Sequence, residues 1–244
     1  MNKRDLVPAQ SAQRDHRNSL LAALPHAEYQ RLLADLEPIT LKFGEVLHEP
    51  SEPIRHAYFP VDSVVVLQRA AKGRRPLTVA LVGHEGMVGI PLALGIETSH
   101  RRAFVQSTGT ALRMESALFR KAILRSKPLQ QVLFCFKHVL MGQVEQSAVC
   151  KQFHSTQERL VRYLLMTSER ARSNEIRLTQ EFLGDMLGVR RTSVVRNCSD
   201  LQKRALIKHN RGKITIRDRK HLSVASCECY QIVNRIYESA YANV

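Results

Sequence analysis

Thr192, Arg196 and Lys203 fall on one face of a segment whose other side carries Val194, Val195, Cys198 and Leu201. At about 100° per residue this is an amphipathic helix with one apolar side and one side rich in hydrogen-bond donors. A guanidinium presents parallel N–H donors that match a phosphate or the O6/N7 edge of guanine. Lys208, Arg211 and Lys213 follow within a few residues and add three more cations. The chemistry these groups offer is recognition of a polyanion.

The elements that position them span residues 178–218. Thr179 is placed to cap a helix, with Glu181 in its first turn. Phe182, Leu183, Met186 and Leu187 form its apolar stripe, and Gly188 is placed to end it in the left-handed conformation. A second helix is expected over 191–204. Residues 206–209 and 213–216 alternate as strands around Asn210-Arg211-Gly212, which is turn chemistry, so a two-stranded wing should follow. Two short helices with one buried stripe each, a basic face on the second and a basic wing suit a helix laid in the major groove of DNA. The bland alternative, a helical subdomain with solvated charges, requires the turn glycine, both stripes and the wing to coincide by chance.

Charge supports a polyanionic partner. The 244 residues carry 37 Lys and Arg against 22 Asp and Glu, a formal net charge of +15. Residues 155–220 hold 16 of these cations and 7 of the acids, so +9 sits on little more than a quarter of the chain. The longest apolar stretch, 132–141, is broken by Lys137 and His138, so no membrane span is expected. Residues 1–18 are polar, have no apolar signal core and read as a flexible tail. The five cysteines, three of them on helical apolar faces, fit reduced thiols in a cytoplasmic protein.

Between the tail and the basic segment the pattern changes twice. Residues 20–36 have helical spacing interrupted by Pro25. From Glu37 short apolar runs at 39–43, 57–60, 63–67, 77–82, 87–94, 103–107 and 111–114 are punctuated by glycines, which predicts an antiparallel barrel or jelly roll closed by a helix at 116–126. Pro128 then opens a helix of about 25 residues. Its stripe, Leu129, Leu133, Phe136, Leu140 and Val144, flanked by Val132 and Val139, reads as a coiled-coil seam and is expected to dimerise the chain. The competing reading packs that helix on its own barrel. A further helix runs to about residue 172, and 220–243 is helical in pattern. The expected fold is α+β: a β-domain over 19–126, a dimerisation helix over 127–154 and a winged helix-turn-helix over 155–244.

That order, with the run Leu178-Thr179-Gln180-Glu181-Phe182-Leu183-Gly184-Asp185-Met186-Leu187-Gly188-Val189-Arg190-Arg191-Thr192-Ser193-Val194-Val195-Arg196, resembles the Crp/Fnr family of bacterial transcription regulators over about residues 20–220. The docking mode of a helix-turn-helix in this family is among the known examples of such motifs and is taken over with the resemblance. The resemblance implies that Arg191, Thr192 and Arg196 read bases, while Thr179, Arg190, Ser193 and Lys203 join Lys208, Arg211 and Lys213 against phosphates. It also implies departures. Thr192 stands where relatives often have a carboxylate, and Arg190 replaces a capping Ser, which forgoes a cap worth about 0.5–2 kcal/mol.

In the β-domain Gly86–Gly89 and Arg101–Val105 are similar to family landmarks. The resemblance puts a candidate effector pocket at Gly89, Ile90, Arg101 and Arg102. Ile90 replaces the carboxylate that accepts from a cyclic nucleotide's ribose, and Arg102 replaces a Ser beside the phosphate-binding Arg. Cyclic-nucleotide binding is therefore expected to be weak or absent. Relatives with an iron–sulfur cluster use cysteines near the N-terminus, whereas the first here is Cys135. Cys227-Glu228-Cys229, with His221 near, offers too few ligands for a metal, so neither metal nor cofactor is expected. His84-Glu85-Gly86 lacks a second His, and no nucleophile elbow, phosphate loop or dinucleotide fingerprint appears, so no enzyme is expected. The expected partners are double-stranded DNA, a second copy of the chain, RNA polymerase and an unknown small effector. The rival readings are a cyclic-nucleotide-responsive module acting on another protein and a nonspecific nucleic-acid binder.

Overall fold

The computed structural model describes residues 17–70, 72–73 and 76–242. Residues 1–16 of the expected tail lie outside the described residues. Asn18, at its end, is buried: its Oδ1 caps α1 (Ser19–Ala22) by accepting from Leu21 N–H, and its Nδ2 donates to the carbonyls of Pro60 and Gly86, both at 2.8 Å. The folded chain therefore begins before residue 19. Pro25 separates α1 from α2 (His26–Leu33), as its ring dictates.

The β-domain has the expected antiparallel architecture, arranged as two sheets that do not close into a barrel. β1 (Glu37–Leu41), β7 (Gly109–Glu115) and β3 (His56–Pro60) form one, in the order β1-β7-β3. β2 (Val46–His48), β6 (Arg102–Ser107), β4 (Val64–Arg69) and β5 (Leu77–Val82) form the other, in the order β2-β6-β4-β5. Every strand pair is antiparallel, and among the described residues no ladder joins the two sheets. The expected run at 87–94 is also not a strand. Gly89, at φ +99°, turns the chain into a 3-10 helix, Ile90–Leu94, with Pro91 in its first turn.

Val64, Val65, Val66 and Leu67 of β4 are all buried, on both faces of the sheet. Val65 and Leu67 point into the sandwich core, whereas Val64 and Val66 join Leu81 in the core of the C-terminal domain. The outer face of the four-stranded sheet is thus the floor on which the helix-turn-helix sits. An unbroken apolar run in an antiparallel sheet has this cause.

α3 (Ser116–Arg125) closes the sandwich and α4 (Lys127–Phe153) follows, capped by Ser126 with Pro128 in its first turn. Here the dimer-seam expectation is corrected. Leu129, Val132 and Leu133 are 0% exposed, and Phe136, Val139 and Leu140 at most 3%. Leu129, Val132, Leu133, Phe136 and Leu140 belong to the sandwich core, with half-buried Val144 packed at its edge. Phe136 sits so close over Gly86 that a Cβ there would overlap its ring. Each such side chain contributes about 1.5–3 kcal/mol when removed from water, so the protomer itself uses this stripe. Gln143 adds a polar tie: its amide accepts from Leu81 N–H at 2.7 Å and donates to Leu81 C=O at 3.1 Å, covering the open edge of β5.

α5 (Thr156–Arg170) starts with a reciprocal capping box between Ser155 and Glu158. Three buried hydrogen bonds among the described residues tie it to the sandwich, one of them from Gln106 Nε2 to Thr167 Oγ1 at 3.3 Å. Arg170 Nε donates to Glu85 at 2.8 Å, and the Tyr163 hydroxyl donates to Gln106. The wing has three strands where two were expected: β8 (Glu175–Arg177) pairs with β10 (Lys213–Ile216), which pairs with β9 (Ile207–Asn210). The C-terminal helical pattern also divides, into α8 (Arg219–Val224), capped by Asp218, and α9 (Cys229–Tyr241), which packs along α4 where Gly142 lets Ile236 approach.

Candidate nucleic-acid interface

α6 (Gln180–Leu187) and α7 (Arg191–Lys203) form the helix-turn-helix. Thr179 Oγ1 accepts from Phe182 N–H at 3.1 Å and caps α6. Gly188 ends it at φ 65°, ψ 39°, the left-handed position that only glycine takes without strain. Gly184 permits the tight crossing of the two helices, since a Cβ there would meet the Val189 carbonyl at 3.0 Å. Leu183, Met186, Leu187, Val194, Cys198 and Leu201 are buried together. Phe182 packs at the edge of that core, where its ring also meets Phe43 and Phe104 of the sandwich at 5.8 and 5.7 Å between centroids.

The opposite face of α7 is open. Arg190, Arg191, Thr192, Arg196 and Lys203 are exposed and Ser193 is half-buried. Arg190 precedes the helix with no side-chain cap, so the first backbone N–H groups of α7 stay available to an anion. Among the described residues, Arg190, Arg191, Arg196, Lys203, Lys208 and Arg211 make no ion pair. Unpaired guanidinium groups on a convex helix face are ready to exchange water for acceptors on a partner.

Val195 corrects the sequence reading, which placed it on the inward stripe. It is 40% exposed and shares the outer face with Thr192, Arg196 and exposed Ser199. The spacing 192, 195, 196, 199 carries that signal, because those positions lie on one side of a helix. An exposed valine methyl suits the thymine C5-methyl group.

The wing turn is held by Arg211 at φ 43° and Gly212 at φ 77°, the two positive values a tight antiparallel hairpin prefers. A non-glycine residue there is costly, and Arg211 is fully displayed at the tip. Lys208 is exposed beside it. Lys213 differs: its Nζ pairs with Glu175 Oε1 at 2.5 Å across the β8–β10 ladder, so its charge is already partly neutralised.

Of the four candidate effector residues, the fold brings two to a cavity of about 390 Å³. Ile90 and Arg101 line it with His100, Lys137, Met141 and Glu145. Desolvation, then the nearby Arg69, lowers the pKa of Arg101, which pairs with no carboxylate among the described residues. Gly89 lies behind the 3-10 helix against His56. Arg102 points elsewhere, its Nε donating to Glu49 at 3.0 Å and its guanidinium over the Phe104 ring.

A second constellation was not legible in the sequence. Cys227 and Cys229, set aside as too few ligands, are joined by Cys150 and His154 from the end of α4. The four ligand atoms lie within 4.8 Å of one another, while His221 pairs with Asp218 elsewhere. The hydrogen bond shared with Cys227, with burial opposing it and Arg162 assisting, holds the Cys150 thiol below its usual range. Such groups hold divalent metals, so the expectation of an isolated two-cysteine pair is corrected.

Residues 158–224 match the Crp-like helix-turn-helix domain. No curated protein matches the chain at a significant level. Among solved structures, FixK2 from Bradyrhizobium japonicum has a TM-score of 0.66 at 17% identity, covering 79% of this chain and 98% of that one. The c-di-GMP-responsive global regulator CLP from Xanthomonas campestris gives 0.62 at 16%, covering 79% and 99%. A CRP-family transcriptional regulator from Thermus thermophilus gives 0.63 at 16%, covering 77% and 96%. At these identities the likeness is one of fold, and it extends over nearly the whole of each solved chain. The protein carries a Crp-like helix-turn-helix domain within the fold of the Crp/Fnr transcription regulators.

Proposed function

We propose that the chain is a sequence-specific DNA-binding regulator that acts as a homodimer in the cytoplasm, where it meets RNA polymerase at promoters. The observation that carries this reading is the unpaired, exposed face of α7, on which Arg191, Thr192, Val195 and Arg196 stand above a fully buried opposite side. Arg191 and Arg196 read guanines, Thr192 and Val195 contact neighbouring base edges, and Arg190, Lys203, Lys208 and Arg211 grip phosphates. Thr179 and Ser193 add hydroxyl donors at the helix starts. Lys213 contributes least, because Glu175 competes for it.

The partner copy docks on the outer face of α4. Phe134 and Met141, seven residues apart and each more than half exposed, lie on one stripe with exposed Ala148. Val149 and Phe153 extend the apolar surface to the helix end. Two copies related by a two-fold axis present their α7 helices to half-sites about one helical turn apart. The Arg101 cavity shares Met141 with that stripe, so a small anion bound there would bias the dimer geometry. CLP is described as responsive to c-di-GMP, an anion; here Arg101 and Lys137 in the cavity lining support an anionic effector class.

Selection of bound fragments from genomic DNA tests the reading. A palindromic consensus is expected, with Arg196→Ala losing affinity for it and little for random DNA. Equal losses on both would assign α7 to phosphate binding alone.

A further inference from the structure

Cys150 lies in the last turn of α4 and His154 is its C-cap, directly before α5 and the helix-turn-helix. Cys227 and Cys229 sit at the start of α9, the helix that returns along α4. Three thiols and an imidazole therefore meet where the long helix hands over to the DNA-binding domain. Cys150 Sγ lies 3.5 Å from Cys227 Sγ, and Cys229 Sγ lies 3.4 Å from His154 Nδ1. Ideal tetrahedral zinc bonds place two sulfurs about 3.8 Å apart and a sulfur and a nitrogen about 3.6 Å apart. The observed separations are within a few tenths of an ångström of those edges.

The geometry points to a metal site in which the three Sγ atoms and His154 Nδ1 hold one zinc-class divalent ion. The surroundings match what such a site requires. His154 Nε2 lies 3.1 Å from Glu228 Oε1, and a proton donated along that bond leaves the Nδ1 lone pair directed at the sulfurs. Gln146 Nε2 donates to Cys229 Sγ at 3.0 Å, a bond that favours a thiolate. Arg162, whose guanidinium acts on Cys150, offsets the negative charge that three thiolates leave on the complex. Binding releases the thiol protons to solvent and leaves no ligand position for a substrate, so the ion is structural. An iron–sulfur cluster is disfavoured because four ligand atoms within 4.8 Å of each other enclose one ion and not several. The ion pins the start of α9 to the end of α4, a link between segments 77 residues apart.

The test uses the full chain purified without oxygen or chelator. One zinc per chain is expected by elemental analysis. After removal and replacement by cobalt, the intense visible bands of tetrahedral cobalt thiolate should appear. Cys229→Ser and Cys150→Ser should lose the ion, Cys135→Ser should keep it, and Glu228→Gln should weaken affinity about 10–100-fold. His154→Cys, which keeps four ligands, should retain one ion even if the serine variants fail to fold. Absence of stoichiometric metal together with no cobalt thiolate bands would overturn the site. Retention of the ion by folded Cys229→Ser, or a Cys150–Cys227 disulfide in the anaerobic protein, would do the same.

Discussion

α4 and α7 both carry apolar stripes, yet only in α7 does the stripe reveal where the helix packs. The 13 residues of α7 bury one side, Val194, Cys198 and Leu201, and leave a polar side for a partner. The 27 residues of α4 are apolar around most of their circumference. One side, Leu129 to Leu140, fills the protomer's own sandwich, another meets α9, and Phe134, Met141 and Phe153 remain outside. Helical periodicity shows which residues seek burial. It does not show whose core will bury them.

The sharpest break of this comparison is Phe136→Asp. Placing a carboxylate under Gly86 in the sandwich should cost more than about 4 kcal/mol and unfold the protomer, read as loss of the cooperative thermal transition. A folded monomer would return the inward stripe to an intermolecular role. Phe134→Asp combined with Met141→Asp should do the reverse, keeping the melt while light scattering reports monomers, since both positions are exposed in the protomer. A dimer that survives the pair places the two-fold contact elsewhere.

Smaller effects separate readers from positioning charges on the DNA side. Arg196→Ala should lose about 1–3 kcal/mol on the selected site and relax one base position per half-site, checked by binding isotherms on substituted duplexes. At the wing, Arg211→Asn preserves a residue tolerant of positive φ while removing the charge. Its log K against log salt slope should flatten by about two units per dimer, at roughly 0.9 per phosphate contact. Lys213→Ala should flatten it less, because Glu175 already holds that ammonium. Equal changes for the two variants would mean that the Lys213–Glu175 pair opens on DNA.

The helix-turn-helix was legible because its signals are local. Thr179, Gly188 and the alternating Ile207, Ile214 and Ile216 act within a few residues of where they stand, and the structure keeps each in its expected place. β8 escaped notice because three residues, Glu175–Arg177, are too few to show a period. Val195 was misplaced because positions 192, 195, 196 and 199 share the outer side of α7 while Val194 and Cys198 face the core.

Sequence alone therefore determined the paired helices and basic hairpin of the helix-turn-helix, the basic character of the C-terminal third and which face of α7 stays polar. These follow from nearest neighbours, backbone propensity and charge, none of which depends on distant contacts. Tertiary structure decided that the sandwich stays open as two sheets, that the inward face of α4 belongs to its own protomer and that Arg102 turns away from the cavity beside Arg101. It also decided that Cys150 and His154 meet Cys227 and Cys229. Each of these depends on which surfaces are brought together across long stretches of chain, and that choice is made by the packing of whole faces, which no local spacing records.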